Sequence, residues 1–123
     1  MAADRRRGER AYLAGAAAEE IVARHYERRG YAVAARRWRG GGGEIDLILR
    51  SGAQVVFVEV KHSKTFDTAV LRITPRQMQR IAASAAQFLD GEPSGQLSEA
   101  RIDVALVDGQ GRVEILENAF GQG

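Results

Sequence analysis

The sequence predicts a mixed α/β domain in which a β-sheet is flanked by helices. Three observations carry this. Two stretches, about Glu9–Arg29 and the run after Thr74, space their apolar residues as amphipathic helices do. Two apolar runs, Gly43–Leu49 and Val55–Lys61, are separated by a short turn and read as a β-hairpin. Near the end, Arg101–Val107 and Arg112–Leu116 flank Asp108-Gly109-Gln110-Gly111 and read as a second hairpin. At 123 residues the chain has room for one core and not for two.

The elements follow in order. Residues 1–8 read as a disordered basic tail, and 9–120 as one domain. The first helix is expected to stop at Gly30, and Tyr31–Arg39 reads as a strand with a basic end. Gly40-Gly41-Gly42-Gly43 reads as a flexible run that lets the chain hinge or pass close to an active face. It is not a phosphate-binding loop, because no Gly-Lys-Ser/Thr follows. Residues 62–73 read as irregular. Thr74-Pro75-Arg76-Gln77 starts a helix, with Thr as N-cap, Pro in the first turn and Gln completing a capping box. Met78, Ile81, Ala82, Ala85, Phe88 and Leu89 continue it at helical spacing to Asp90-Gly91.

Composition narrows the function. Hydrophobic content of 45% and charged content of 28% exclude a disordered chain, and no apolar run of about 18 residues would cross a membrane. Arg5-Arg6-Arg7 before an alanine-rich stretch loosely mimics a signal peptide, but the stretch runs into Glu19-Glu20, so a cytoplasmic protein is expected. No cysteine is present, which excludes a disulfide framework and a thiolate metal site. The formal charge of +2 hides an asymmetry. Residues 1–39 carry ten Arg against five acids, whereas residues 40–123 carry eight basic and eleven acidic side chains. A basic half beside an acidic half suits a protein that meets a polyanion, although a solvated arginine surface explains the count equally well.

The chemistry concentrates in the first hairpin. Carboxylates in apolar strands are costly unless something pairs with them. Side chains alternate along a strand, so Glu59 and Lys61 point to the same side. A two-residue turn at Gly52-Ala53, with Gly in the position a type II′ turn requires, pairs Ser51 with Gln54. That register sets Asp46 opposite Glu59 and Glu44 opposite Lys61. Two facing carboxylates attract a divalent cation, and a hard ion such as Mg²⁺ takes one or two carboxylates plus substrate phosphate. Lys61 could then orient water or hold a phosphate. The plain alternative is an Asp46–Lys61 ion pair at a strand edge, with Glu59 in solvent.

Other residues are weaker candidates. Glu19 lies on the helical face of Tyr12, Ala16, Ala23 and Tyr26, and is either an extra carboxylate for the site or a solvated charge; Glu20 points away. Glu44 either holds the Lys61 ammonium or makes a simple cross-strand pair. Gln77 could reach the site from the second helix, though capping already explains it. Asp103 beside Arg101 reads as a structural pair. Arg36, Arg37 and Arg39 surround Trp38, which suits phosphate contact and base stacking, yet Trp38 is more often a core anchor. His25 and His62 have no partner at metal-ligand spacing.

Gly43-Glu44-Ile45-Asp46-Leu47-Ile48 followed by Phe57-Val58-Glu59-Val60-Lys61 resembles the YraN family of predicted endonucleases, which is similar to Holliday-junction resolvases. The resemblance also takes in Gly15–Glu19, Gly30-Tyr31, Trp38-Arg39, Thr74–Gln77 and Arg101–Val104. It implies the PD-(D/E)XK nuclease superfamily and a restriction-endonuclease-like fold. It further implies Mg²⁺ or Mn²⁺ on Asp46 and Glu59, Lys61 as the catalytic lysine and Glu19 as an accessory catalytic carboxylate. DNA, with branched DNA in view, would be the substrate. Arg36, Arg37, Arg39, Lys64 and Arg76 would contact nucleic acid, with Glu44 and Gln77 supporting the site. Where relatives often carry a basic residue two positions after the lysine, this chain has Ser63, with Lys64 one step further. Symmetric cutting of a four-way junction would need two active sites, which a homodimer could supply. A module with the same fold that binds nucleic acid without cutting it is the alternative.

Overall fold

The structure is a computed structural model that describes residues 2–119, with side chains described from Ala14 onward. Five strands form one sheet in chain order: β1 (Ala32–Gly40), β2 (Gly43–Ser51), β3 (Gln54–His62), β4 (Ala100–Val107) and β5 (Val113–Leu116). β3 and β4 run parallel, and every other neighbouring pair is antiparallel. Helix α1 (Ala2–Glu27) covers one face, while α2 (Phe66–Val70) and α3 (Pro75–Leu89) belong to the crossover from β3 to β4. This is an α/β fold with a mixed five-stranded sheet between helices, consistent with the restriction-endonuclease-like architecture.

Two apolar clusters fill the faces. Val22, Ala23 and Tyr26 of α1 pack on Leu47, Leu49, Val56, Val58, Ala105 and Val107. Met78, Ile81, Ala85 and Leu89 of α3 pack on Ile48, Val55, Phe57, Val104 and Leu106. β2, β3 and β4 are therefore apolar on both sides, which is why they read as nearly continuous hydrophobic runs. Phe57 is fully enclosed, and a side chain of that kind contributes about 1.5–3 kcal/mol by leaving water.

Helix α1 starts upstream of Glu9, so its backbone overlaps the stretch expected to be a tail, whose side chains lie outside the described residues. Its end is a Schellman motif. Gly30 N–H donates to Glu27 O at 3.0 Å and Tyr31 N–H to Tyr26 O at 3.2 Å. Gly30 has φ +92°, and the Tyr26 and Tyr31 rings meet edge to face at 5.5 Å.

The glycine run is not a hinge. Gly40 pairs with Gly43, so Gly41-Gly42 is a tight hairpin turn between β1 and β2. The turn is pressed against α3, where Gly41 N–H donates to Gln87 Oε1 at 2.6 Å and Ser84 Oγ donates to Gly43 O at 2.8 Å. A Cβ on Gly42 would lie 2.4 Å from the backbone oxygen of Arg80. The glycines let a helix lie directly on a turn, and the surface they approach is α3 rather than a catalytic face.

The segment expected to be irregular contains α2. Its capping box is reciprocal: Thr65 Oγ1 accepts from Thr68 N–H at 3.1 Å, and Thr68 Oγ1 accepts from Thr65 N–H at 3.3 Å. At the start of α3, Thr74 Oγ1 accepts from Gln77 N–H at 3.1 Å. The return half expected of Gln77 is missing, because its Oε1 is buried with no hydrogen-bond partner.

Candidate active site

The site lies where β2 and β3 part. Their ladder runs from Ser51↔Gln54 to Leu47↔Val58, the register expected from a two-residue turn. Gly52 has φ +58°, as the first central position of a type II′ turn requires. The next pair in that register, Asp46 and Glu59, falls just beyond the recorded ladder. Beyond that end, Asp46 Oδ2 accepts Val60 N–H at 2.8 Å. A side-chain carboxylate thus satisfies a β3 amide at the edge of the β2 ladder. That exchange holds Asp46 against β3 and brings it to Glu59.

Glu59 is the most perturbed carboxyl group of the cluster. Burial, a hydrogen bond with Asp46 and the Asp46 charge push it up to about 9, Lys61 opposes the shift, and Glu19 adds to it. Its surroundings therefore favour the protonated form of Glu59 far more than water does. Glu19 from α1 is also raised, by burial first, with Arg37 opposing and the Asp46 and Glu44 charges adding. Three carboxylates from α1, β2 and β3 thus share one electrostatic neighbourhood with Lys61. Among the described residues, no three His, Asp or Glu side chains converge as a ready-made metal cage. Asp46 and Glu59 form a pair.

The β1 arginines reach back to α1. Strict alternation would send consecutive residues to opposite faces. Arg37, however, has φ +48°, and the kink lets both Arg36 and Arg37 turn toward the helix. Arg36 Nη1 donates to Glu20 Oε2 at 3.0 Å, and Arg37 Nε donates to Glu19 Oε1 at 3.1 Å. Glu20 is a half-exposed surface residue, as its place on the helix suggested, and it pairs with Arg36 of β1. Trp38 then turns to the α3 side, where its ring meets Phe88 edge to face at 5.4 Å. It is a core anchor.

Glu44 does not face Lys61 as the extended register implied. It pairs with Arg39 in the β1–β2 ladder, with Arg39 Nη2 at 3.5 Å from its carboxylate. The β2–β3 ladder ends before reaching Glu44, and among the described residues its ion pair is with Arg39 and not with Lys61. Asp103 is fully buried and structural: it accepts from Tyr26 Oη at 2.7 Å, Arg101 Nε at 3.0 Å and Asn118 N–H at 2.9 Å. Arg76 sits on the exposed first turn of α3. Lys64 lies beyond the end of β3, on the same cleft as Lys61. Arg72, which the sequence reading did not single out, lines that cleft as well. It followed Val70-Leu71 in a stretch with no readable periodicity, so no sequence signal marked it.

No helix of the described residues is long and apolar enough to cross a membrane. The sequence model of uncharacterised protein family UPF0102 matches residues 18–107, which include Glu19, Asp46, Glu59 and Lys61. A UPF0102 protein of Ruegeria pomeroyi is 62% identical over 117 residues, covering 95% of each chain. One from Cereibacter sphaeroides is 62% identical over 113 residues, covering 92% of this chain and 97% of its own. One from Dinoroseobacter shibae is 49% identical over 112 residues, covering 91% and 84%. With a matching family model and relatives this similar along nearly their whole length, the chain belongs to the UPF0102 family.

Proposed function

We propose that this chain is a metal-dependent endonuclease that hydrolyses DNA phosphodiester bonds through Asp46, Glu59 and Lys61. The observation that carries the reading is the meeting of Asp46 and Glu59 at the parted end of the β2–β3 hairpin, where Asp46 takes the Val60 amide, Glu59 is raised by burial and by Asp46, and Lys61 acts on Glu59 from the same side of β3. The resemblance to YraN-like members of the PD-(D/E)XK superfamily supports the same assignment, and it makes branched DNA the first substrate to try.

The donor set fits a hard divalent cation. Its atoms are carboxylate oxygens, and a cation between them would relieve the repulsion and burial that raise Glu59. Asp46 and Glu59 would hold Mg²⁺ or Mn²⁺, with Glu19 the next carboxylate in the neighbourhood. The chemistry such an ion supplies when bound is activation of water and neutralisation of charge on the phosphate. Asp46 is fixed for this by Val60 N–H, so little reorganisation is needed. Lys61 brings a compact ammonium to orient water or hold a phosphate oxygen. Glu19, tethered by Arg37, supplies a further acceptor for a proton or hydrogen bond. In this reading a four-way junction is cut symmetrically by a homodimer that brings two such sites.

The test is incubation of the purified protein with Mn²⁺ or Mg²⁺ and labelled linear, flapped and four-way-junction DNA, with Lys61→Ala in parallel. Cutting that vanishes in the variant is the expected result. Binding without cutting on every substrate would replace the nuclease with a nucleic-acid-binding module of the same fold.

A further inference from the structure

A cleft of about 610 Å³ opens beside Lys61 and runs between Ala14-Gly15 in the middle of α1 and the segment after β3. Its described lining includes Gly15, Lys61, Lys64, Arg72 and Gly109, and no acidic side chain. Elsewhere the site is acidic, so the cleft is its cationic exit. Lys61 belongs to both, because it lines the cleft and also acts on Glu59.

The cationic wall is built on a fixed frame. Ser63 N–H donates to Val107 O at 3.0 Å and Gly109 N–H donates to Lys64 O at 3.0 Å, which ties the chain around Lys64 to the end of β4. A Cβ on Gly109 would stand 3.3 Å from that Lys64 oxygen, so a small residue permits the approach. Arg72 Nη1 donates to His62 O at 3.0 Å, which holds the guanidinium against the strand end while its other N–H groups remain for a ligand. Across the cleft, Gly15 has nothing within 4 Å of where its Cβ would be. A strand of nucleic acid could lie there without displacing any described side chain.

We propose that this cleft binds the sugar–phosphate backbone of the cut strand next to the scissile phosphate, with Lys64 and Arg72 as the phosphate contacts. The proposal rests on the nuclease reading and deepens it. It assigns the flanking phosphate to one side of Lys61. It also gives the phosphate-holding role to Lys64 and Arg72 rather than to the β1 arginines, which are engaged by Glu19, Glu20 and Glu44. Backbone contact of this kind is independent of sequence and falls steeply with salt.

The experiment measures DNA binding in EDTA, where cutting cannot occur, over a series of salt concentrations. It compares the wild type with Lys64→Ala, Arg72→Ala and Gly15→Glu, each checked by thermal melting. Gly15→Glu is the decisive variant. It removes no cation and adds no clash, and it replaces a helix-interior glycine, yet it puts bulk and negative charge into the cleft. The alanine variants are expected to weaken binding about fivefold or more at moderate salt, each lowering the salt slope by about one unit. Gly15→Glu is expected to weaken it at least as much. Unchanged affinity and slope in Gly15→Glu and Lys64→Ala, with a wild type that binds, would overturn the cleft assignment and leave the nuclease reading standing. A wild type that binds no DNA even at low salt would overturn both.

Discussion

Replacing Glu59 by Gln should stabilise the metal-free protein, and by an amount that grows with pH. Burial and Asp46 lift Glu59 from 4.5 to about 9 in the folded chain. Because the folded-state pKa lies above the unfolded one, the folded form binds an extra proton throughout that window. Stability is therefore greatest below about 4.5 and declines as pH rises toward 9. Each pH unit within the window removes roughly 1.4 kcal/mol, so between about pH 5 and pH 8 the wild type loses on the order of 4 kcal/mol from this group. Glutamine mimics the protonated acid: it is neutral and its amide can still donate to Asp46. Urea melts of both proteins in EDTA at pH 5 and pH 8 read the difference directly. They should nearly coincide at pH 5 and separate at pH 8, with Glu59→Gln the more stable. Adding Mn²⁺ at pH 8 should restore the wild type and leave the variant unmoved, and the gain should shrink at pH 6 as protons compete with the ion. A stability difference that is flat with pH would refute the claim that the surroundings of Glu59 raise its pKa.

Other outcomes follow from the same contacts. Asp46→Ala strands the Val60 amide and should cost about 1–3 kcal/mol at pH 5, where the Glu59 repulsion is absent, and it should remove any metal-dependent rise in melting temperature. Tyr26→Phe takes one donor from the buried Asp103 and should lower stability by about 1–2 kcal/mol without changing DNA binding, as melts and binding curves would show. Gly42→Ala forces its methyl group into the Arg80 carbonyl of α3 and should cost at least about 1–3 kcal/mol, while Gly15→Ala, in open space, should be neutral or stabilising.

The hairpin was legible because its signals are local. Gly52-Ala53 dictates a two-residue turn, and from there the register of β2 and β3 follows by counting. What counting could not see was where pairing stops. The recorded β2–β3 ladder ends at Leu47↔Val58, and Asp46 takes a β3 amide just beyond it. Glu44 is left to β1, where Arg39 meets it. Glu19 was readable as a residue on the sheet-facing side of α1 from its spacing, but its tie to Arg37 was not. That tie depends on a left-handed backbone at Arg37, a conformation no arginine announces. The glycine run misled because flexibility and close packing call for the same residue. Only the approach of α3 distinguishes them. Arg72 and the cleft escaped for a different cause: they arise from α1, the end of β3, the segment after α2 and the β4–β5 turn meeting in space.

The two turns that bracket β2 differ in their tolerance to remodelling. Gly41-Gly42 is clamped under α3, so added length there would lift the helix from the sheet and shift the strand that carries Asp46. Gly52 faces open space at the other end of that strand, beyond five consecutive paired positions. A fluorophore or an affinity tag belongs on the exposed Ala53, where it keeps Gly52 and the two-residue length that set the register and so leaves the carboxylate end of the hairpin undisturbed.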